Sequence, residues 1–359
     1  MIVERLELNN YRNYKKLTVN FSKGTNVLYG DNAQGKTNIL ESIYMCSTTK
    51  SHRGSKDKDI INFHEDESHI KLIVNKRDVP FRIDMHLKKN RPKGIAVNGI
   101  PIKKASELFG IVNVVFFSPE DLDIIKRGPS ERRRFIDLEL CQLDKIYVSN
   151  LVNYNRCVNQ RNILLKELEY KPELEDTLDI WDMQIAEYGY KVIERREEFI
   201  QELNEMIVKI HNQLTNNKET LTIKYDLCIE KEKLYNTLVK NRKRDMRQKI
   251  TTVGPHRDDI SFYNKTIDLR TYGSQGQQRT AALSLKLAEI ELVKRVINDT
   301  PVLLLDDVLS ELDNNRQNHL LNSLNNVQTF ITCTGLDEFI ENNFCIDSTY
   351  KVVDGSIVQ

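Results

Sequence analysis

The sequence predicts an α/β fold in which both ends of the chain build one domain and a mainly helical lobe is inserted between them. Short apolar runs separated by polar turns, which are typical of strands, fill the first third of the chain and return after Lys249. Between 120 and 241, Pro and Gly are scarce and apolar residues recur every three or four positions, as in helices. A glycine-containing loop at 30–38 separates a predicted strand from a predicted helix.

The predicted strands follow one another along both ends of the chain. Those of the first third are 2–8, 16–21, 25–29, 70–74, 81–87 and 112–117, and those of the last third are 250–253, 260–263, 301–305 and 327–332. Asn98-Gly99 and Asp354-Gly355 stand between apolar residues and predict two hairpins. The continuous apolar run at 301–305 is typical of a central strand in a parallel sheet.

The inserted block predicts a compact lobe, because it lacks the sustained heptads of a long coiled coil. A strong helix is predicted at 277–297. We therefore predict three segments: 1–118 as the N-terminal part of lobe I, 119–297 as the helical lobe II, and 298–359 as the C-terminal part of lobe I.

Composition indicates a globular chain without strong bulk charge. Of 359 residues, 40% are hydrophobic and 29% are charged, and the formal net charge is +1. A nucleic-acid surface would therefore have to be local. The longest apolar runs are too short for a bilayer, the N-terminus has no signal-peptide core, and the six cysteines form no CxxC pair. We expect a cytoplasmic protein with reduced cysteines and no membrane association.

The loop GDNAQGKT at 30–37 satisfies the spacing G-x-x-x-x-G-K-[ST] of a phosphate-binding loop. Its glycines let backbone N–H groups point at phosphate oxygens, and the next helix adds its positive N-terminal end. Lys36 would place a cation at the β- and γ-phosphates, and the Thr37 hydroxyl suits Mg²⁺. A chance Gly-rich turn is the alternative, which the flanking strand and helix disfavour. The candidate ATP-binding residues here are Gly30, Asn32, Gly35, Lys36, Thr37 and Asn38.

Two carboxylates end the apolar stretch VLLLDD at 302–307. Asp306 is placed to hold Mg²⁺ through water opposite Thr37, and Asp307 to polarise a water that attacks the γ-phosphate. Paired acids at a strand end are common by chance, but the following SELD at 310–313 favours the functional interpretation. We therefore predict an ATPase with Lys36 and Asp307 as catalytic residues and with Thr37 and Asp306 at the metal.

A second phosphate-binding feature is YGSQGQQR at 272–279, directly before the strong helix. Ser274 and Gly276 would stand where a helix start exposes unpaired N–H groups. Gln277 is a further candidate residue for ATP binding. Two chains placed head to tail could each offer this segment to the nucleotide in the partner's P-loop. A merely flexible loop is the alternative. We therefore predict an ATP-dependent homodimer.

These three motifs resemble those of the ABC-type ATPase head, a P-loop NTPase fold with mixed sheets and helices. The helical block between them resembles the SMC-like branch and, within it, the RecF-like family. The matching stretches are LNNYRNY (8–14), GDNAQGKTNILESIY (30–44), KSHR (50–53), FSPEDLDIIKRGPSERRRFID (117–137), VGPHRDDI (253–260), YGSQGQQRT (272–280) and LLLDDVLSELD (303–313). They extend over the whole chain.

The resemblance implies a function in DNA replication, in the SOS response to DNA damage, and in recombinational repair. The protein would bind duplex DNA and gap junctions and help load RecA together with RecO and RecR. Weak ATP hydrolysis would act as a switch. Asp307 stands where many ABC heads have glutamate, which implies slow hydrolysis. Such heads often carry a Gln at the strand end that corresponds to 117–120 and a His after the strand at 329–334. This sequence has neither, and Thr332 or Thr334 is a candidate stand-in for the His.

Basic residues cluster locally in this neutral chain, as DNA phosphates require. Each cluster alone is equally consistent with a solvated helix face. No arginine-plus-aromatic pattern indicates base reading, so sequence-independent binding is expected. The candidate DNA contacts are Lys50, Arg53, Arg132, Arg133, Lys240, Arg242, Lys243 and Arg244.

Three alternatives remain at this point. His256, Asp258 and Asp259 of VGPHRDDI could hold a metal, although a structural role at the join of the lobes is favoured. The ATPase subunit of a membrane transporter shares the three motifs, but it would need a Gln loop beside a docking groove and would not need the basic clusters. A structural SMC-type head is disfavoured by the missing coiled coil.

Overall fold

The computed structural model describes residues 1–323, 326–336 and 345–358. Its helices are α1 (Lys36–Thr48), α2 (Asp57–Ile60), α3 (Leu122–Lys126), α4 (Pro129–Leu143), α5 (Lys145–Glu167), α6 (Leu178–Leu214), α7 (Leu234–Gln248), α8 (Leu269–Tyr272), α9 (Gln275–Ile297) and α10 (Asn314–Ser323). Its strands are β1 (Ile2–Tyr11), β2 (Tyr14–Asn20), β3 (Thr25–Tyr29), β4 (Glu67–Lys76), β5 (Val79–Lys88), β6 (Arg91–Val97), β7 (Ile100–Pro101), β8 (Val114–Phe117), β9 (Leu221–Asp226), β10 (Asp259–Asn264), β11 (Ile267–Asp268), β12 (Val302–Asp306), β13 (Thr329–Cys333), β14 (Ser348–Val353) and β15 (Ser356–Val358).

The chain forms two compact units. The first unit contains Met1–Asp121 and Leu285–Gln359, and the second unit contains Leu122–Ser284. The division at 118/119 and 297/298 stays a prediction. No helix of the described ranges has the length and apolarity needed to cross a membrane.

The first unit contains a sheet of order β15-β14-β3-β13-β12-β8, parallel except for the edge strand β15. Every residue of β12 is buried, as expected for a central parallel strand covered on both faces. The carboxyl ends of β3, β12 and β13 meet at one edge of the sheet. Ligands of parallel α/β sheets bind at such edges.

A second sheet of the first unit is antiparallel, in the order β2-β1-β4-β5-β6-β7. Burial alternates along β4, so one face of this sheet is covered and the other faces solvent. Helix α1 contacts β4 and also β8, β12 and β13. In α1, only Thr37 and Asn38 are not buried, so the core holds the helix whose start forms the predicted P-loop.

The second unit is mainly helical and has its own core. The helix α6 has 37 residues and contacts α5, α7 and β9, so it is part of a packed lobe and does not form a long coiled coil. The predicted helical lobe is confirmed, with one addition: β9, β10 and β11 form a three-stranded sheet. Strand β9 lies within the block that we predicted to be helical throughout.

The predicted strand at 250–253 is wrong. Side chains satisfy its backbone donors in place of a neighbouring strand: Thr251 N donates to Asn162 Oδ1 at 2.7 Å and Thr252 N to Asp245 Oδ1 at 3.3 Å. The Thr251 hydroxyl also accepts from Arg161 Nη1 at 3.1 Å. This segment therefore ties helices together and carries no strand pairing.

Candidate nucleotide-binding site

The loop between β3 and α1 has a conformation that requires glycine at two positions. Gly30 and Gly35 have φ of 146° and 112°, which side-chain-bearing residues rarely adopt. A Cβ on Gly30 would also lie 2.5 Å from Val352 O, and a Cβ on Gly35 would lie 2.6 Å from Asn13 Nδ2. Both glycines are therefore fixed by backbone angle and by close packing.

Residues far from the motif brace this loop. Asn13 Nδ2 donates to Gln34 O at 2.8 Å, and the Tyr14 hydroxyl donates to Gly35 O at 3.1 Å. Asp354 N donates to Gln34 Oε1 at 2.6 Å. The turn between β1 and β2 and the C-terminal hairpin thus hold the loop from outside. Sequence reasoning singled out LNNYRNY (8–14) only as a matching stretch and missed these contacts, because the turn lies far from the loop along the chain.

Lys36 is the first residue of α1 and lies folded over the loop. Its Nζ donates to Gly30 O at 2.6 Å and to Asp31 O at 2.9 Å, and the residue is 4% exposed. An ammonium has three N–H donors, so one remains beyond these carbonyls. No ion pair within the described chain includes Lys36. A buried, unneutralised cation over a bare loop fits the negative charge of a phosphate.

Asp306 at the end of β12 lies between two hydroxyl groups. Thr37 Oγ1 and Thr332 Oγ1 each donate to Asp306 Oδ1 at 2.7 Å. Burial raises the pKa of this carboxyl, and the nearby Asp307 carboxylate adds to the rise. The Thr37 hydroxyl that would bind Mg²⁺ is therefore hydrogen-bonded to Asp306. This arrangement fits the prediction that Asp306 would hold the ion through water.

Asp307 has a left-handed backbone conformation, with φ of 53°. Aspartate adopts this region more readily than most residues other than glycine. Its N–H donates to Thr332 Oγ1 at 2.9 Å, so a single hydroxyl links the backbone of Asp307 to the carboxylate of Asp306. Asp307, Thr332 and Asn32 line a cavity of about 310 Å³ with Ser310 and Thr334.

The remaining loop candidate, Asn38, belongs to a short polar chain on the surface of the first unit. Asn38 Nδ2 donates to Asn13 Oδ1 at 2.8 Å, and Asn38 Oδ1 accepts from Arg53 Nη1 at 3.4 Å. Arg53 and Lys50 are exposed. One of the predicted DNA contacts, Arg53, is therefore linked to the predicted nucleotide loop.

In the second unit, Ser274 begins α9 with a capping box. Gln277 N donates to Ser274 Oγ at 3.2 Å, and Ser274 N donates to Gln277 Oε1 at 3.0 Å. Among the described residues, the Ser274 hydroxyl is found only as an acceptor, so its own proton remains to be donated. Ser274 and Gly276 are exposed, and the first N–H groups of α9 have no intrahelical acceptor. The predicted second phosphate-binding feature therefore has an ordered, solvent-facing helix start.

The predicted DNA residues of α7 fall into two groups. Lys240, Lys243 and Arg244 are exposed, lie on one helix face, and have no ion-pair partner in the part of the chain that the structure describes. Arg242 instead donates through Nε to Asp182 Oδ2 at 2.7 Å and pairs with Asp179. The exposed stripe remains a DNA candidate, whereas Arg242 serves the helical core.

Arg132, another predicted DNA contact, is buried and therefore cannot reach DNA. Arg132 is 1% exposed, and its Nε and Nη2 donate to Asp259 at 2.7 Å and 2.9 Å. The prediction was wrong because an arginine on a charged helix can face the core when a carboxylate from a distant strand neutralises it. The neighbouring Arg133 is half-buried, with Nη1 donating to Asp258 O at 2.7 Å.

The stretch VGPHRDDI holds the second unit together. His256 Nδ1 lies 2.6 Å from the Tyr154 hydroxyl and Nε2 lies 3.0 Å from Thr251 O. Asp258 accepts from the Tyr225 hydroxyl and from Cys228 N at 2.5 Å and 2.8 Å. Burial lowers the pKa of His256 to about 4. Because both ring nitrogens have protein partners, the geometry favours the structural role over the metal site.

Known proteins that are similar to this chain agree with the predicted fold. The family model described as RecF/RecN/SMC N terminal domain matches residues 2–355. The chain is 62% identical to the DNA replication and repair protein RecF of Agathobacter rectalis over 99% of both chains. It is also 62% identical to the RecF of Lachnospira eligens, over 100% of this chain and 99% of that one.

A solved structure of the recombination mediator protein RecF with ATP, in the RecFOR pathway, has the same fold. It superposes with a TM-score of 0.93 at 38% identity, over 99% of this chain and 97% of that one. The predicted α/β fold of an ABC-type ATPase head, with an inserted helical lobe and without a long coiled coil, is confirmed.

Proposed function

The chain belongs to the RecF family of DNA replication and repair proteins, and from this premise we propose that it is an ATP-gated homodimer that binds DNA in recombinational repair. The observation that carries the proposal is the contrast between two phosphate-binding features. One is a buried lysine over a braced loop, and the other is a capped helix start that faces solvent. The relative with a solved structure is described with bound ATP.

In this proposal, Lys36 neutralises the β- and γ-phosphates of ATP in the loop of Gly30 and Gly35. Thr37 would hold Mg²⁺ directly and Asp306 would hold it through water, since the two side chains are hydrogen-bonded at 2.7 Å at the end of β12. The ion supplies positive charge to the phosphates when it is bound. Burial raises the pKa of Asp306, so a bound cation would stabilise the ionised carboxyl.

Asp307 is the proposed base that orients and deprotonates the attacking water. Thr332 is the proposed positioning residue, since its hydroxyl joins Asp306 to the backbone of Asp307. It lies at the end of the strand after which many ABC heads carry a histidine that this sequence lacks. Hydrolysis is weak in this proposal, because the aspartate side chain is one methylene shorter than glutamate. The role of ATP hydrolysis is to end the DNA-bound state.

The homodimer forms because each chain completes the nucleotide site of the other. Ser274 has a hydroxyl proton to donate, and Gly276 presents its N–H at the positive start of α9. Gln277 holds Ser274 in place through the capping box. A γ-phosphate held by Lys36 of one chain would therefore be bound by the helix start of its partner.

DNA contacts are assigned to the α7 stripe of Lys240, Lys243 and Arg244 and to the exposed pair Lys50 and Arg53. They bind backbone phosphates without reading bases. Duplexes and gap junctions are the proposed substrates, and RecO and RecR are the proposed partners in loading RecA, in the cytoplasm. The family of the chain gives no support to the alternative of a transporter subunit.

A gel-shift series tests this function. It compares duplex, single strand and junction, with and without ATP, across salt concentrations. We expect ATP-dependent retention of duplex and junction, with a salt slope that reports the number of phosphate contacts. Lys243→Ala should reduce that slope by about one, whereas Lys209→Ala, an exposed lysine of α6, should leave it unchanged. Salt-insensitive binding, or equal binding by Lys36→Ala with ATP, would contradict the proposal.

A further inference from the structure

Two histidines and a glutamate meet on the solvent-facing side of the antiparallel sheet. Strands β4 and β5 pair so that His69 lies opposite His86, and Glu67 stands two residues before His69 on β4. Because side chains alternate between faces with a period of two, Glu67 and His69 share a face. Glu67 and His69 are exposed, and His86 is half-buried. None of the three belongs to the predicted nucleotide site.

The three side chains are close enough to share one ion. One ligand atom from each of Glu67, His69 and His86 lies within 4.8 Å of the others. The two imidazole rings stack with centroids 3.9 Å apart, and His86 Nε2 lies 2.7 Å from Glu67 Oε2. Ligand atoms around tetrahedral Zn²⁺ lie about 3.3 Å apart. The three ligand atoms are therefore near enough for one ion, which the stacked imidazole rings would bind by turning their nitrogens toward it.

The sheet leaves room for an ion and a further ligand beside the histidines. Gly94 of β6 lies opposite His86 and has no side chain to cover it. A cavity of about 410 Å³ lies there, and it is lined by His69, His86, Gly94 and Asn9 among others. Asn9 lies opposite His69 on β1. A fourth coordination position would therefore be open to water or to an incoming ligand.

Glu67 is already oriented by a neighbour. Lys88 Nζ lies 2.9 Å from Glu67 Oε1, whereas Oε2 is directed to His86. One oxygen is thus held by an ammonium group, and the other remains on the side of the imidazoles. Carboxylate ligands of metals are held by outer hydrogen bonds of this kind.

We propose that Glu67, His69 and His86 form a binding site for a divalent transition-metal ion of the zinc class. Two imidazoles and one carboxylate are ligands that Zn²⁺ prefers, whereas the oxygen ligands at Thr37 and Asp306 suit Mg²⁺. The two sites differ in ligand chemistry and share no residue. The inference therefore stands independently of the proposed function.

The test is calorimetric titration of the full chain, without a histidine tag and without nucleotide, with Zn²⁺ and with Co²⁺. We expect one ion per chain, and a visible Co²⁺ spectrum of the four-coordinate type. His69→Ala and His86→Ala should each weaken binding about 100-fold, and Glu67→Gln about tenfold. Thermal unfolding without metal should be unchanged in Glu67→Gln, which shows that the fold is intact.

Matched controls separate this site from other histidines and from the nucleotide site. His64→Ala removes an exposed imidazole outside the cluster and should leave Zn²⁺ binding unchanged. Asp306→Asn should do the same. Unchanged affinity in His69→Ala and His86→Ala, or no saturable binding by the wild-type chain, would overturn the proposal.

Discussion

The two predicted halves of the nucleotide site are held in opposite ways. Around the P-loop, Gly35 is covered by Asn13 and Tyr14, and Lys36 is 4% exposed. At the start of α9, the atom nearest to a Cβ on Gly276 is Ser274 Oγ at 3.9 Å. The first half is complete within one chain. The second half is ordered but uncovered, as expected for a surface that a second molecule completes.

Among the substitutions, adding a side chain at Gly35 of the P-loop should have the greatest consequence. Gly35→Ala places a Cβ 2.6 Å from Asn13 Nδ2 and 2.9 Å from the Tyr14 hydroxyl, at a φ of +112°. We expect a loss of about 3 kcal/mol in the free energy of unfolding together with loss of ATP binding. Denaturant unfolding and nucleotide titration measure both. Wild-type stability and affinity in this variant would show that the loop is not braced as described.

The same Gly→Ala change at the start of α9 should weaken dimerisation without a loss of stability. Gly276→Ala has room within the chain, so stability should change by no more than about 0.5 kcal/mol. ATP-dependent dimerisation should weaken by about tenfold, because a methyl group would meet the partner's nucleotide. Sedimentation with a non-hydrolysable ATP analogue measures this. Gly273→Ala is the control, since its Cβ would lie 2.5 Å from Leu269 O and should destabilise the chain itself.

Removing the Thr332 hydroxyl tests how the P-loop half of the nucleotide site positions its carboxylates. Thr332→Val keeps the shape but removes the hydroxyl that bonds Asp306 and Asp307. Hydrolysis should slow by about ten- to hundredfold through misplacement of Asp307, while the KM for ATP changes little. Thr329→Val, at the start of the same strand, is the matched control. Equal losses in both variants would indicate a general defect of β13 and no positioning role.

Asp306→Asn should change the stability of the nucleotide-free chain only slightly, and toward greater stability. Burial raises the folded-state pKa of Asp306 above its unfolded value, so the ionised carboxyl disfavours folding without a cation. Stability of the nucleotide-free chain should fall as pH rises through that raised pKa and recover as pH falls. Asp306→Asn should therefore melt no lower than wild type near neutral pH and should lose stabilisation by Mg²⁺ with ATP. A lower melting temperature without nucleotide would contradict this sign.

Local signals made much of the fold and of the loop predictable. The spacing of glycines, lysine and threonine predicted the P-loop, and the strand before it matches Thr25–Tyr29 at both ends. The apolar run at 301–305 became Val302–Asp306. These features depend on residues near one another in the sequence, where periodicity and steric rules act directly.

What could not be predicted depends on contacts between distant positions. Arg132 is neutralised by Asp259, 127 positions away, so its charge pattern gave no sign of burial. Tyr14 reaches Gly35 only because β1 and β2 form a hairpin beside the loop. The stretch LTIKYD alternates with a period of two over β9, but the helical periodicity around it dominated the interpretation.

The most direct test of the shared nucleotide site mixes two inactive variants. Lys36→Ala disables the P-loop, and Ser274→Arg disables the helix start. Each variant alone should hydrolyse no ATP, because every site in its homodimer contains a damaged half.

In a mixed dimer, however, the intact P-loop of Ser274→Arg meets the intact helix start of Lys36→Ala. Random pairing by a two-fold axis restores up to about one quarter of the wild-type sites. The account predicts that ATPase activity returns on mixing, with a dependence on the concentrations of both variants. A mixture that stays as inactive as its components, although ATP still binds to Ser274→Arg, would contradict the account.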